Sequence, residues 1–321
     1  MNALTKSNPP GRDELRDRYH GAILGLAVGN ALGLPVESFS RAVILQHFPQ
    51  GIREIDPSEA RLPWDDDLAQ AVILAEAILD HDTLLAPDLA RRLVAWLESS
   101  GRGVGNLTWR VLDALRDGAS PERAARLVWE QDGGQPAGNG AVMRCTPVAM
   151  RWPRDRSRLL DETRKSAIVT HHDPRCTWSA YAINLAVAEA LAGRSTAVET
   201  IVSELEQAGA DPHTLHAARG HAGHPLDALD LDGTAIGFTL KAMQAGLWCL
   251  EQTSGFEETL VAVIEAGGDT DTNGAVAGAV LGAKLGAVSI PDRWTSRVAR
   301  VGELRSLADR LYERARESGE I

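Results

Sequence analysis

Six residues, Gly267-Gly268-Asp269-Thr270-Asp271-Thr272, set two carboxylates and a hydroxyl side by side at the start of a predicted helix. Oxygen ligands at that density suit a hard divalent cation. A capping role, in which an acid accepts the free N–H groups of the helix start, accounts for one carboxylate and not for two. A second cluster, Asp65-Asp66-Asp67, follows Pro63-Trp64 and precedes the amphipathic run Leu68, Ala71, Val72, Ala75 and Leu79. Alone it reads as a solvated helix start, where the macrodipole favours anions. Three adjacent carboxylates nevertheless repel one another, and a cation relieves that repulsion. Glu37 stands just beyond Pro35, where an apolar helix must stop and its side chain can turn toward a cleft. Together these acids supply enough oxygen for two magnesium-type ions sharing a carboxylate.

The stretch Gly133-Gly134-Gln135-Pro136-Ala137-Gly138-Asn139-Gly140-Ala141-Val142-Met143-Arg144 is glycine-rich and leads into a predicted helix. Such a loop lets backbone N–H groups approach a phosphate or ribose, although an ordinary connecting loop has the same composition. Its spacing is neither that of a P-loop nor that of a Rossmann fingerprint. His213, His216, His221 and His224 crowd residues 211–225, but no cysteine or paired acid completes a zinc site there. The glycine, proline and alanine around them suggest a flexible, solvent-facing loop. His171-His172 is better placed for a functional role, beside the alternative of a capping or core histidine.

Helices must position these residues, since helical periodicity runs through almost the whole chain. Leu89, Leu93, Trp96 and Leu97 share a face after Pro87-Asp88, and Ser99-Ser100-Gly101 ends that helix. The pattern recurs at Leu107, Val111, Leu112 and Leu115, at Ala124, Leu127 and Val128, and at Trp178, Ala182, Leu185 and Ala188. No period-2 run bounded by hairpin turns predicts a strand. Gly21, Gly25, Gly29 and Gly33 recur every four residues. Each glycine inside a helix costs about 1 kcal/mol relative to alanine, so four on one face imply a close approach that offsets the cost. The small residues from Asn273 to Lys284 suit the same kind of packing, and with aromatics at only 5% the core must rely on closely spaced helices. Length alone favours about two domains. The unbroken helical pattern predicts one all-α domain over 15–312, with tails at 1–14 and 313–321.

A net charge of -11 works against binding a nucleic-acid backbone, so a small-molecule or protein substrate fits better. Cys145, Cys176 and Cys249 are odd in number and far apart, as expected of reduced thiols rather than a disulfide framework. The polar N-terminus lacks an apolar signal region, and no stretch reads as the roughly 20 apolar residues that cross a bilayer. A cytoplasmic monomer without membrane contact is the expectation.

The chain resembles the ADP-ribosylglycohydrolases, a family that includes the dinitrogenase-reductase-activating glycohydrolase and the ADP-ribosylarginine hydrolases. Four blocks in the family's order carry the resemblance across residues 21–294: the glycine-rich run from Gly21 to Glu37, Trp64-Asp65-Asp66-Asp67, Gly138-Asn139-Gly140-Ala141-Val142-Met143-Arg144, and Gly267-Gly268-Asp269-Thr270-Asp271-Thr272. Thr170-His171 matches a further element. The resemblance implies an all-α, single-domain hydrolase with two Mg²⁺ or Mn²⁺ ions in a cleft. Asp66, Asp67 and Asp271 would hold one ion and Asp269, Asp271 and Thr272 the other, with Asp65 in the same metal cluster. ADP-ribose, on a protein or a small molecule, would lie over them along Gly138, Asn139, Gly140, Met143, Arg144, His171 and Gly268. Glu37, close to the anomeric bond, and Asp66 are the acid/base candidates, with the division of roles between them open.

Cleavage passes through an oxocarbenium-like state, which nearby carboxylates stabilise. An arginine side chain is the default acceptor. Hydrolysis of free conjugates such as O-acetyl-ADP-ribose, or silent binding of ADP-ribose or a nucleotide, are the alternatives. This chain departs from the family pattern where Asp65 replaces a threonine, Asn30 an aspartate, and Leu68-Ala69 a Thr-Gln pair. One reading is that Asp65 compensates for Asn30 and restores the carboxylate count.

Overall fold

The computed structural model describes residues 10–194, 196–220 and 224–321. Among them the chain forms sixteen α-helices and five short 3-10 turns, with two isolated β-bridges and no strand. The expected all-α architecture is what the chain adopts.

Two helices form its axis. Arg12–Gly33 lies antiparallel against Thr270–Leu285, and the facing stretches Gly21–Gly33 and Thr270–Ala283 are buried throughout. Gly21 meets Gly282, Gly25 meets Gly278, Gly29 meets Gly274 and Gly33 meets Thr270, so the glycine ridge of one helix fits the small-residue face of the other. A Cβ added at Gly25 would lie 2.0 Å from the Gly278 carbonyl oxygen, a separation that no side chain tolerates. The segment Arg12–Val36 is therefore apolar for a packing reason. By length and composition it could cross a membrane, contrary to the reading of the sequence, yet 83% of its most apolar window is buried inside the protein.

Thr239–Glu251, Phe256–Glu265, Pro174–Leu191 and Val301–Glu317 pack around this pair. Every residue from Cys176 to Leu191 is buried. The four apolar patterns read from the sequence fall on Ala86–Ser99, Asn106–Arg116, Pro121–Gln131 and Pro174–Leu191. Leu127 differs in being 38% exposed, while Ala124 and Val128 are buried. The three cysteines are free and buried.

Three local expectations are corrected. Residues 313–321 are not a tail: the last helix continues to Glu317 and buries Ala315, and the Glu320 carboxylate accepts the backbone N–H groups of Arg154 (3.0 Å) and Asp155 (3.2 Å). At the other end, helix begins at Arg12, inside the expected 1–14 tail, whose residues 1–9 lie outside the described ones. His213 and His216 belong to a helix, Pro212–Arg219, whose first turn Asp211 caps by accepting from the His213 and Thr214 N–H groups. They are not in a loop, and His221 lies outside the described residues.

Candidate active site

Three helix termini converge on one cleft. The first is the end of the glycine helix: Pro35 cannot continue it, the chain makes the 3-10 turn Leu34–Val36, and Glu37 follows. The Ser38 N–H donates to the Gly268 carbonyl (2.8 Å) and the Gly268 N–H to Phe39 (2.9 Å), which pins Glu37 beside the loop that opens the second axial helix. Gly267 and Gly268 both have φ near the left-handed region, at 80° and 83°. The Thr270 hydroxyl closes the junction by donating to the Gly33 carbonyl at 2.8 Å.

Asp269 stands at the N-cap of Thr270–Leu285, and Asp65 at the N-cap of Asp66–His81. Neither side chain accepts a capping hydrogen bond. The simple capping role therefore fails for both clusters, and their carboxylates are available to the site.

The cleft has a volume of about 230 Å³. Glu37, Asp66, Asp269, Asp271 and Thr272 form an acidic wall; Gly138, Asn139, Gly140, Met143 and His171 form a wall opposite in chemical character. Carboxylate oxygens of Glu37, Asp269 and Asp271 lie within 4.8 Å of one another, as do those of Asp65, Asp66 and Asp67. Asp66 and Asp67 gather with Asp65, and both also lie close enough to Asp271 to interact with its charge. Asn139 spans the walls, its Nδ2 donating to Asp269 Oδ2 at 2.9 Å.

Burial, followed by mutual repulsion, pushes the pKa values of Asp66, Asp67 and Asp271 well above the usual carboxylate range. For Asp66 the repelling neighbours are Asp65, Asp271 and Asp269, and for Asp271 they are led by Asp67 and Asp269. Glu37 is the exposed member at the mouth, and desolvation by the cleft wall, then Asp269 and Asp65, raises it as well. Asp67 Oδ1 and Asp271 Oδ1 are buried without a hydrogen-bond partner among the described residues. Unpaired buried carboxylate oxygens are costly, and a bound cation is the remedy that their chemistry suits.

A sequence model of the ADP-ribosylglycohydrolase family matches residues 11–320. The chain is a member of the ADP-ribosylglycohydrolase family. It is 28% identical over 288 residues to an ADP-ribosyl-[dinitrogen reductase] glycohydrolase of Rhodospirillum rubrum, covering 88% of this chain and 91% of that one. It is 23% identical over 310 residues to the ADP-ribosylarginine hydrolase Tri1 of Pseudomonas putida, covering 96% and 81%. A solved ADP-ribosylglycohydrolase-related protein complex superposes with a TM-score of 0.77 at 29% identity, over 94% of this chain and 99% of that one.

Four residues expected at this glycohydrolase-family site are not among those lining the cleft: Asp65, Asp67, Arg144 and Gly268. Asp67 is wholly buried beneath it and accepts from Asn30 Nδ2 at 3.2 Å. Asp65 lies between that amide (3.5 Å) and the Arg102 guanidinium (3.7 Å). A Cβ on Gly268 would meet the Leu231 carbonyl at 2.2 Å, so this glycine serves a close backbone approach. Arg144 is fully buried and reaches Gln70, Ser166 and Thr170 instead of the cleft.

Conversely, Gly103, Gly105, Asn106, Leu107, Thr108 and Gly237 line the cleft and were not read as site residues. The alternating glycines at 101, 103 and 105 were the available signal. Gly103 has φ of 79°, and a Cβ there would lie 2.4 Å from Asp65 Oδ1. Arg102 clamps this loop by donating to Glu59 at 3.1 and 2.9 Å and to the Pro63 carbonyl at 2.7 Å.

Proposed function

We propose that this protein is a Mg²⁺- or Mn²⁺-dependent hydrolase that cleaves the glycosidic bond between ADP-ribose and an acceptor, with a modified arginine side chain as the first acceptor to test. One observation carries the reading: acids from three helix termini meet at a single cleft, and two of their buried oxygens, Asp67 Oδ1 and Asp271 Oδ1, lack partners among the described residues. Family membership supplies the substrate class, and relatives named for glycohydrolase and arginine-hydrolase activities support the acceptor.

Asp66, Asp67, Asp269, Asp271 and Thr272 offer hard oxygen donors that fit two such cations. When bound, the cations supply positive charge that orients ribose hydroxyls and acidifies a water. The protein's own groups do the rest. Glu37, at the mouth, is placed to exchange a proton with the leaving group or the attacking water, and Asp66, deeper in the acidic wall, is the second acid/base candidate. Carboxylates surrounding the ring stabilise the positive charge that develops at its anomeric carbon. Asn139 holds Asp269 in place.

Assays on ADP-ribosyl-arginine, ADP-ribosyl-serine and O-acetyl-ADP-ribose, with and without added Mg²⁺ or Mn²⁺, test this reading. Metal-dependent release of ADP-ribose from the arginine conjugate is the expected result, with Asp269→Ala and Asp271→Ala abolishing turnover while circular dichroism stays unchanged. Turnover of the acetylated compound alone would reassign the acceptor. Tight ADP-ribose binding with no turnover of any conjugate would replace the enzyme by a binder.

A further inference from the structure

Arg144 carries a charge into the interior without a carboxylate partner among the described residues. Its Nη1 donates to Gln70 Oε1 (2.8 Å), and its Nη2 donates to the Ser166 carbonyl (2.9 Å) and to Thr170 Oγ1 (2.7 Å). Thr170 Oγ1 in turn lies 2.7 Å from His171 Nδ1. A guanidinium can only donate, so the Thr170 oxygen accepts from it. The hydroxyl proton then has one acceptor among the described residues, His171 Nδ1. With Nδ1 accepting, the ring proton must sit on Nε2.

The Nε2 side of the ring faces the glycine loop of the cleft. A Cβ on Gly138 would lie 3.3 Å from Nε2, and one on Gly140 would lie 2.7 Å from Cε1 and 3.1 Å from Nε2. The absence of side chains at both positions leaves that edge open. His171 lines the cleft, and Nε2 has no protein hydrogen-bond partner among the described residues.

We propose that Arg144 and Thr170 are positioning residues that lock His171 as its Nε2–H tautomer, so that the ring presents a fixed hydrogen-bond donor to an oxygen of the ADP-ribosyl group. The substrate half of this statement rests on the function proposed above; the tautomer lock stands on the protein alone. Burial, reinforced by the Arg144 charge, pushes the His171 pKa down to about 3. The residue thus stays neutral at physiological pH and serves as a donor rather than a general acid. Arg144 acts through this relay, which accounts for a buried guanidinium standing one step behind the cleft.

Long-range ¹H–¹⁵N spectra of the full chain, with the His171 signals assigned by comparison with His171→Gln, read the tautomer directly. The wild type should show a protonated Nε2 and an unprotonated Nδ1 from pH 8 to pH 5. Thr170→Val should lose this single tautomer and weaken ADP-ribose binding roughly tenfold, the scale of one hydrogen bond. Thr170→Ser, which keeps the hydroxyl, should restore both. An Nδ1–H or doubly protonated ring in the wild type overturns the lock without recourse to any variant. An unchanged tautomer in folded Thr170→Val does the same, and unchanged ADP-ribose affinity in that variant overturns the donor role. A locked tautomer in a wild type that fails to bind ADP-ribose supports the lock and refutes the substrate reading.

Discussion

The Asn30 amide reaches two carboxylates at once, Asp67 at 3.2 Å and Asp65 at 3.5 Å. An aspartate at position 30 would place a third negative charge within hydrogen-bond distance of both, in a buried setting where repulsion is poorly screened. The neutral donor at 30 and the acid at 65 are in contact, so compensation between them is open to a direct test. Asp65→Thr alone should weaken Mn²⁺ binding, because it removes a charge that nothing else replaces. Asn30→Asp combined with Asp65→Thr should recover it, with a coupling energy in the range of about 0.5 to 3 kcal/mol typical of contacting residues. Titration calorimetry with Mn²⁺ on the two single variants and the double variant measures the term. Additive effects, or tighter binding in Asp65→Thr, would end the compensation idea.

At the scale of elements, the two axial helices owe their register to glycines rather than to interlocking large side chains. Gly25 and Gly302 are both helical, but a Cβ at Gly25 meets the opposing backbone at 2.0 Å whereas nothing lies within 4 Å of one at Gly302. Gly302→Ala should stabilise the protein by up to about 1 kcal/mol through helix propensity. Gly25→Ala gains the same propensity but must push the helices apart, and overpacking of this kind costs about 1–3 kcal/mol or more. Thermal melts should show a small rise in Tm for Gly302→Ala and a drop of several degrees, or loss of soluble protein, for Gly25→Ala. A similar response from both would mean that the helix contact is looser than its geometry implies.

At the scale of the whole molecule, an axis that brings Gly33 against Thr270 also brings Glu37, Asp269 and Asp271 together, and the Asp66–His81 helix adds its own acids to them. The fold thus stores repulsion among buried carboxylates when no cation is bound. A ligand that binds only the folded state stabilises it by about 2.7 kcal/mol at one hundred times its dissociation constant. Saturating Mg²⁺ or Mn²⁺ should therefore raise the Tm, read by calorimetry with and without a chelator. Asp271→Asn should abolish that rise while leaving the metal-free Tm equal to or above the wild type, since one buried charge is gone. A metal-induced rise that persists in Asp271→Asn would remove Asp271 from the proposed site.

Local rules made much of this legible before any coordinates. Helical periodicity, the stop at Pro35, the four-residue glycine spacing and the carboxylates at two helix starts depend on neighbours within a turn or two, so the sequence by itself determined an all-α chain with paired acidic termini. Only the tertiary structure decided which distant groups meet. Arg144 belongs to the same motif as Gly138 and Asn139, yet its side chain turns inward to Gln70 and Thr170, and spacing does not encode that choice. The loop of Gly103 and Arg102 reaches the site through contacts with Asp65, Glu59 and Pro63 more than thirty residues away. The end of the chain reads as a charged tail until the helix Val301–Glu317 buries Ala315 and Glu320 finds the backbone N–H groups of Arg154 and Asp155. In each case the deciding energy comes from long-range packing and from satisfying buried polar groups, and a one-dimensional pattern does not contain it.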